Sequence, residues 1–171
     1  MTAPLVIFAV GNPSRGDDAI GPLLCRRLAA WLAAEGLADQ CELIEDFQLQ
    51  IEHSLDLRGR RLALFIDAGS GTPAPYTFGR IAPGEDPALA HSTHALTPET
   101  VLQVYAQIEH QPPPPAFVLC VRGEQFELGA APGAAATRHM AAAFELLKTL
   151  CNSATSNEWE RISNVSKKGK R

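Results

Sequence analysis

The chain has no apolar stretch approaching the roughly 20 residues a helix needs to cross a bilayer, so no membrane span is expected. Its first residues, "MTAPLVIFAVGNP", lack a basic leading region, and their apolar run is short. No signal peptide is expected, and a cytoplasmic setting follows. Cysteines are few and scattered: Cys25, Cys41, Cys120 and Cys151 form no C-x-x-C and no zinc-type spacing. They are expected as buried free thiols in a reducing compartment. The G-x-S-x-G turn of serine hydrolases is missing, and so is the H-E-x-x-H helix of zinc proteases; "IEH" at 51–53 has similar letters at the wrong spacing. No histidine is tied by sequence to Cys25 or Cys120. Positive charge is also scarce outside the end of the chain. The net charge is −4, but residues 152–171 hold five basic and two acidic residues, leaving the body at 10 basic and 17 acidic. An acidic body argues against nucleic acid as a partner. The tail "NSATSNEWERISNVSKKGKR" shows no sustained apolar period and is expected to be a flexible basic extension.

What is present is ordinary globular material: 171 residues, 46% hydrophobic and 20% charged, enough for one domain with a real core. "LVIFAVG" (5–11) is a continuous apolar run ending in Gly, the pattern of a strand buried on both faces of a parallel sheet. "GPLLCRRLAAWLAAEG" (21–36) repeats apolar residues at helical spacing and stops at Gly. "CELIED" (41–46) and "RLALFIDAG" (61–69) read as further strands, with a short helix over "LQIEHSLDL" (49–57) between them. "PYTFGRIAP" (75–83) suits an antiparallel edge strand. Thr97 and Pro98 open a helix as N-cap and first residue. "PPPP" (112–115) leads into the strand "AFVLCVRG" (116–123), and an Ala-rich helix follows over 133–152. There are no internal repeats. The order indicates an α/β domain over residues 1–151: a three-layer αβα sandwich around a mostly parallel twisted sheet of about five strands.

Ligands of such sheets gather beyond the carboxyl ends of the strands, and three informative positions fall there. Asp17 and Asp18 follow the first strand in "VGNPSRGDDAIG" (10–21), Asp67 closes the strand at 61–69, and His94 precedes the helix at 98. The opening loop is shaped like a phosphate-binding turn, yet it carries two carboxylates where such loops place Lys and Ser or Thr. Carboxylates repel a phosphate. They also suit a helix N-terminus, so a plain capping role for Asp17 or Asp18 competes with a cation site. Imidazole and carboxylate together suit borderline metals such as nickel or zinc, whereas magnesium and calcium prefer oxygen alone.

Taken in order, "GNPSRGDDAIG", "LFIDAG" and "STHALTPETVL" resemble the nickel–iron hydrogenase maturation endopeptidases, over roughly residues 5–150. The resemblance implies a peptidase that removes a C-terminal extension from the nickel-loaded precursor of the hydrogenase large subunit. Asp18, Asp67 and His94 match the family's metal-contacting and catalytic positions, with Gly11, Asn12, Asp17 and Gly21 supporting the loop. The nickel arrives with the substrate, no organic cofactor is implied, and a monomer is expected. The chain departs from many relatives after the second strand. Where they carry Asp-Gly-Gly-Thr, this chain has "EDFQLQ" (45–50), keeping Asp46 without the glycines. That departure resembles the subgroup serving cytoplasmic, NAD(P)-linked or bidirectional hydrogenases. It makes Asp46, Phe47, Leu49 and Gln50 candidates for selecting the precursor, with core packing the competing role.

Other classes share parts of this pattern. Phospho-acceptor receiver domains combine an acid pair after the first strand with an Asp ending the third. Here a six-residue loop displaces the pair, and the last strand lacks the Lys that neutralises the acceptor phosphate. A nucleotide-binding or other cation-binding α/β module, or an interaction domain whose acids are only caps, completes the alternatives.

Overall fold

The computed structural model describes residues 1–85 and 96–169. The apolar runs form the strands β1 (Leu5–Val10), β2 (Cys41–Asp46), β3 (Leu62–Gly69), β4 (Tyr76–Ile81) and β5 (Ala116–Arg122). They make one five-stranded sheet in the order β2-β1-β3-β5-β4, with β4 antiparallel to β5 at the edge and the other pairings parallel. The helices are α1 (Ile20–Ala34), α2 (Pro98–Glu109), α3 (Ala134–Asn152) and α4 (Ser156–Lys168). The expected three-layer α/β sandwich with its antiparallel edge strand is therefore the fold. The segment read as a short helix at 49–57 is a 3-10 helix over Ile51–Leu57.

Alternation along β1 explains why its run is apolar throughout. Leu5, Ile7 and Ala9 enter the core beneath α1 and α3, while Val6, Phe8 and Val10 enter a second core beneath α2 and the Ile51–Leu57 turn. A strand covered on both faces has no position left for a polar side chain. Each covering helix presents one stripe: Ile20, Leu24, Leu28 and Leu32 on α1, and Ala136, Met140, Ala143, Leu147 and Leu150 on α3. Helix α2 starts as expected, with Thr97 Oγ1 accepting from the Thr100 N–H at 3.2 Å and Pro98 in the first turn.

The end of the chain departs from expectation. Residues 152–171 read as a flexible tail, but Ser156–Lys168 form α4, capped by Thr155. One residue does most of the anchoring. Trp159 is fully buried, edge-on to Phe78 and Phe117 at 6.1 and 5.3 Å between ring centroids. Its Nε1 donates to the Leu150 carbonyl at 3.0 Å. Ser163 Oγ adds a hydrogen bond to the Phe78 carbonyl, and Arg80 pairs with Glu160. A helix held by one large aromatic needs no sustained apolar period, which is why its pattern reads as polar. Trp159→Ala is expected to cost about 3–5 kcal/mol. Urea denaturation checks this, and a loss below about 1 kcal/mol would mean that α4 contributes little to the fold.

Candidate active-site cleft

The strand order 2-1-3 puts β1 beside β3, and the connections leaving them run to opposite sides. That arrangement opens a crevice at their carboxyl ends. A small cavity of about 150 Å³ lies there, lined by Gly11, Asp18, Phe47, Leu49, Asp67 and Pro98 among others. Two of the three expected chemical residues, Asp18 and Asp67, thus share one cleft. A larger surface cleft, of about 1340 Å³, lies at the amino ends of the strands, at the opposite end of the sheet. His94 lies outside the described residues. Among the described residues, no group of three or more His, Cys, Asp or Glu is placed to hold a metal ion.

Asp18 is half-buried, and its Oδ2 accepts from the Asn12 N–H at 2.7 Å. This bond closes the loop back on itself and directs the carboxylate towards β3. Neither Asp17 nor Asp18 caps α1: the helix begins after a 3-10 turn over Gly16–Ala19, with no side-chain cap. Two glycines make the return of the loop feasible. A Cβ on Gly11, whose φ is +148°, would stand 2.0 Å from the Asp18 carbonyl oxygen, and a Cβ on Gly21 would stand 2.3 Å from that of Val10. Gly11 N–H also donates to the Asp46 carbonyl at 3.1 Å, tying the loop to the end of β2.

Asp17 serves the loop differently from a cap. It is buried, at 1% exposure, and accepts three backbone N–H bonds: from Glu124 at 2.7 Å, Gln125 at 2.9 Å and Gly133 at 2.8 Å. Burial alone would raise its pKa, but these donors and the nearby His139 together hold it below the usual carboxylate value. Gly16 and Asp17 donate in turn to the Ala130 and Gln125 carbonyls. The segment 123–133 is thus the second wall of the loop that carries Asp18. Backbone donors leave no residue signature in the sequence.

Asp67 keeps a solvent-exposed face at the mouth of the cleft. Its Oδ1 accepts from the Ala68 N–H at 2.8 Å. Desolvation by its surroundings pushes its pKa up to about 6, the Ala68 bond opposes this, and the negative charge of Asp18 adds to it. Water at the open face limits how far the push goes. The first turn of α2, with Pro98, borders the same cleft, and its N–H ends favour negative charge.

The 46–53 segment is a wired turn. Asp46 accepts from the Phe47 N–H at 2.7 Å and from Gln50 Nε2 at 3.4 Å, and it stands 3.3 Å from His53 Nε2. His53 Nδ1 accepts from the Gln50 N–H at 2.9 Å, so its proton is on Nε2, facing Asp46. Asp46 and the Gln50 amide are therefore committed to this turn, and Leu49 packs into the core beneath α2. Phe47 is different: it lines the cleft and is 68% exposed. His53 went unrecognised in the sequence, although Gln-x-x-His at the start of a helical turn is a capping-box spacing.

The architecture is shared with solved structures of hydrogenase maturation proteases. The chain superposes on the NiFe hydrogenase maturation protease HycI from Thermococcus kodakarensis with a TM-score of 0.61 at 20% identity, covering 89% of this chain and 94% of that one. It matches the hydrogenase maturating endopeptidase HybD from E. coli with a TM-score of 0.62 at 21% identity, over 87% and 93%. For the endopeptidase HycI from Escherichia coli the values are 0.61 and 18%, over 88% and 91%. At these identities the likeness establishes the fold. No protein-family model and no curated protein sequence matches the chain.

Proposed function

We propose that this protein is a hydrogenase maturation endopeptidase that removes a C-terminal extension from the nickel-loaded large-subunit precursor of a nickel–iron hydrogenase. The observation that carries the reading is the meeting of Asp18 and Asp67 in one cleft between the ends of β1 and β3, in a fold shared with hydrogenase maturation proteases. Asp18, Asp67 and His94 contact the nickel of the precursor and carry the reaction. The nickel belongs to the substrate, so the enzyme needs no organic cofactor of its own. Asp67 suits the part of general base: a carboxylate with a pKa raised towards neutrality takes a proton from water more readily than an ordinary one. That water attacks the scissile carbonyl, and the C–N bond breaks as the proton taken up by Asp67 passes to the leaving amine.

The exposed Phe47 at the cleft offers apolar area for docking a protein substrate, while Asp46 and Gln50 hold it in place. The absence of the paired glycines after β2 favours the cytoplasmic, NAD(P)-linked or bidirectional hydrogenases as the source of the precursor. The protein acts in the cytoplasm as a monomer. No helix among the described residues is long and apolar enough to cross a membrane, in keeping with this setting.

The test is mass spectrometry of a large-subunit precursor incubated with this protein, nickel-loaded and nickel-free in parallel. Loss of a C-terminal peptide from the loaded form alone is the expected result. Asp18→Ala and His94→Ala are expected to slow it by at least about 100-fold. Normal processing by both variants would remove these residues from the reaction, and failure to cleave any large subunit of the same organism would overturn the proposal.

A further inference from the structure

The acid cleft does not end at Asp67. Pro98 and Val118 line it, and both also line a second groove of about 510 Å³ on the α2 face of the sheet. The strand register relates the two. Asp67 on β3, Cys120 on β5 and Thr77 on β4 stand in one row, and Phe65, Val118 and Gly79 stand in a row below it. The floor of the groove is β4 from Thr77 to Ile81, beside Val118. Its walls are the first turn of α2, at Pro98, and the end of α4, at Ser166. Adjacent strands lie about 4.8 Å apart, so Thr77 stands about 10 Å from Asp67, the reach of three extended residues at about 3.3 Å each.

The groove fits a single extended peptide. Gly79 leaves its floor open: among the described residues, a Cβ there would have only Ser163 Oγ within 4 Å, at 3.8 Å. Arg80 alternates to the opposite face and pairs with Glu160. That leaves Glu99 and Lys167, one charge of each sign, on the two walls, a balance that suits a peptide better than a polyanion. The Phe78 carbonyl accepts from Ser163 Oγ, so a bound chain lies over the sheet face and does not extend its edge. Phe47, by contrast, is exposed on the β2 side of the acids. A protruding ring can meet a folded surface, whereas a groove takes one strand.

We propose that this groove binds the C-terminal extension of the precursor in extended form, from about the third residue beyond the scissile bond. The inference rests on the peptidase reading. The folded body of the large subunit stays on the Phe47 side, and the extension crosses Val118 and lies over Gly79 between α2 and α4. Contacts there are remote from the reacting bond, and their binding energy holds that bond against the acids.

The experiment measures cleavage kinetics of the nickel-loaded large-subunit precursor from the same organism, with its whole extension and with the extension cut to two residues. Gly79→Leu fills the groove from its floor, and Ser166→Trp fills it from the α4 wall. On the whole extension each is expected to lower kcat/KM by about 10-fold or more. On the shortened extension the wild type is expected to slow, and both variants to match it. A defect in the fold would instead slow the variants on both substrates. Ser166→Trp alone decides the matter should Gly79→Leu unfold. Wild-type kcat/KM for Ser166→Trp on the whole extension, or equal losses on both substrates, overturns this inference alone. No cleavage by the wild type overturns the peptidase reading and this inference with it.

Discussion

Asp67→Asn is expected to reduce precursor cleavage by about 1000-fold or more while making the protein more stable at neutral pH. The first half follows from losing a general base, which is worth roughly 10²–10⁴ in rate. The second follows from linkage. The Asp67 pKa is raised to about 6 in the fold, above the roughly 3.9 of an unfolded aspartate. Between those values the native state holds more protons than the unfolded state, so stability falls as pH rises through this window. Above pH 6 the full penalty of an ionised Asp67 is present. An amide cannot ionise, and its oxygen still accepts from the Ala68 N–H. The Asp67→Asn variant therefore has no advantage below about pH 4 and its full advantage above about pH 6. The open face of Asp67 screens the charge, and the gain is expected to be only about 1 kcal/mol. Urea denaturation at pH 3.5 and pH 8 measures it. An equal difference at both pH values would mean that ionisation of Asp67 is not its source. In the wild type, the acid limb of kcat/KM is expected near pH 6, and Asp18→Asn should move that limb to lower pH because Asp18's charge is one of the influences raising it.

A large loss of stability is also expected at Asp17. Asp17→Ala leaves the N–H groups of Glu124, Gln125 and Gly133 without their acceptor in a site closed to solvent. An unsatisfied buried donor costs on the order of 1–3 kcal/mol, and bonds to a charged acceptor are at the strong end. A loss of about 4 kcal/mol is expected, much of the stability of a typical domain. Asp17→Asn keeps one acceptor oxygen but turns an NH₂ group towards a remaining N–H, so an intermediate loss is expected. The pH dependence runs opposite to that of Asp67. The Asp17 pKa is lowered in the fold, so its contribution is present above the unfolded value near 3.9 and disappears as pH falls through the folded one. The gap between wild type and Asp17→Ala should therefore narrow below pH 4. A gap that is under about 1 kcal/mol at pH 7, or that widens in acid, would contradict the role assigned to this carboxylate. Because the 123–133 segment supports the loop bearing Asp18, cleavage should slow as well, and by more than the unfolded fraction accounts for.

Much of the architecture is legible in the residues. The runs at 5–11, 61–69 and 116–123 are strands because continuous Val, Ile, Leu and Phe suit burial on both sheet faces. Thr97-Pro98 is a helix start because its hydroxyl can cap and its ring tolerates the first turn. Asp17 and Asp18 stand out because a carboxylate pair is out of place in a loop with the outline of an anion site. Their division of labour is not legible. Asp17 turns inward to backbone donors more than a hundred positions away, and backbone N–H groups are the same in every sequence. Asp46 and Gln50 likewise read as surface contacts, yet their side chains are used within their own turn, leaving Phe47 exposed.

By itself the sequence determined the alternation of strands and helices, the apolar stripes, and which acids stand at strand ends, because periodicity and local chemistry act over a few neighbouring residues. Tertiary structure alone decided that β1 lies beside β3, so that Asp18 and Asp67 share a cleft and raise the pKa of Asp67. It also decided that a tail with one useful aromatic becomes α4, because Trp159 packs edge-on against the stacked rings of Phe78 and Phe117. Strand order and ring packing come from contacts between distant parts of the chain, and no local pattern encodes them.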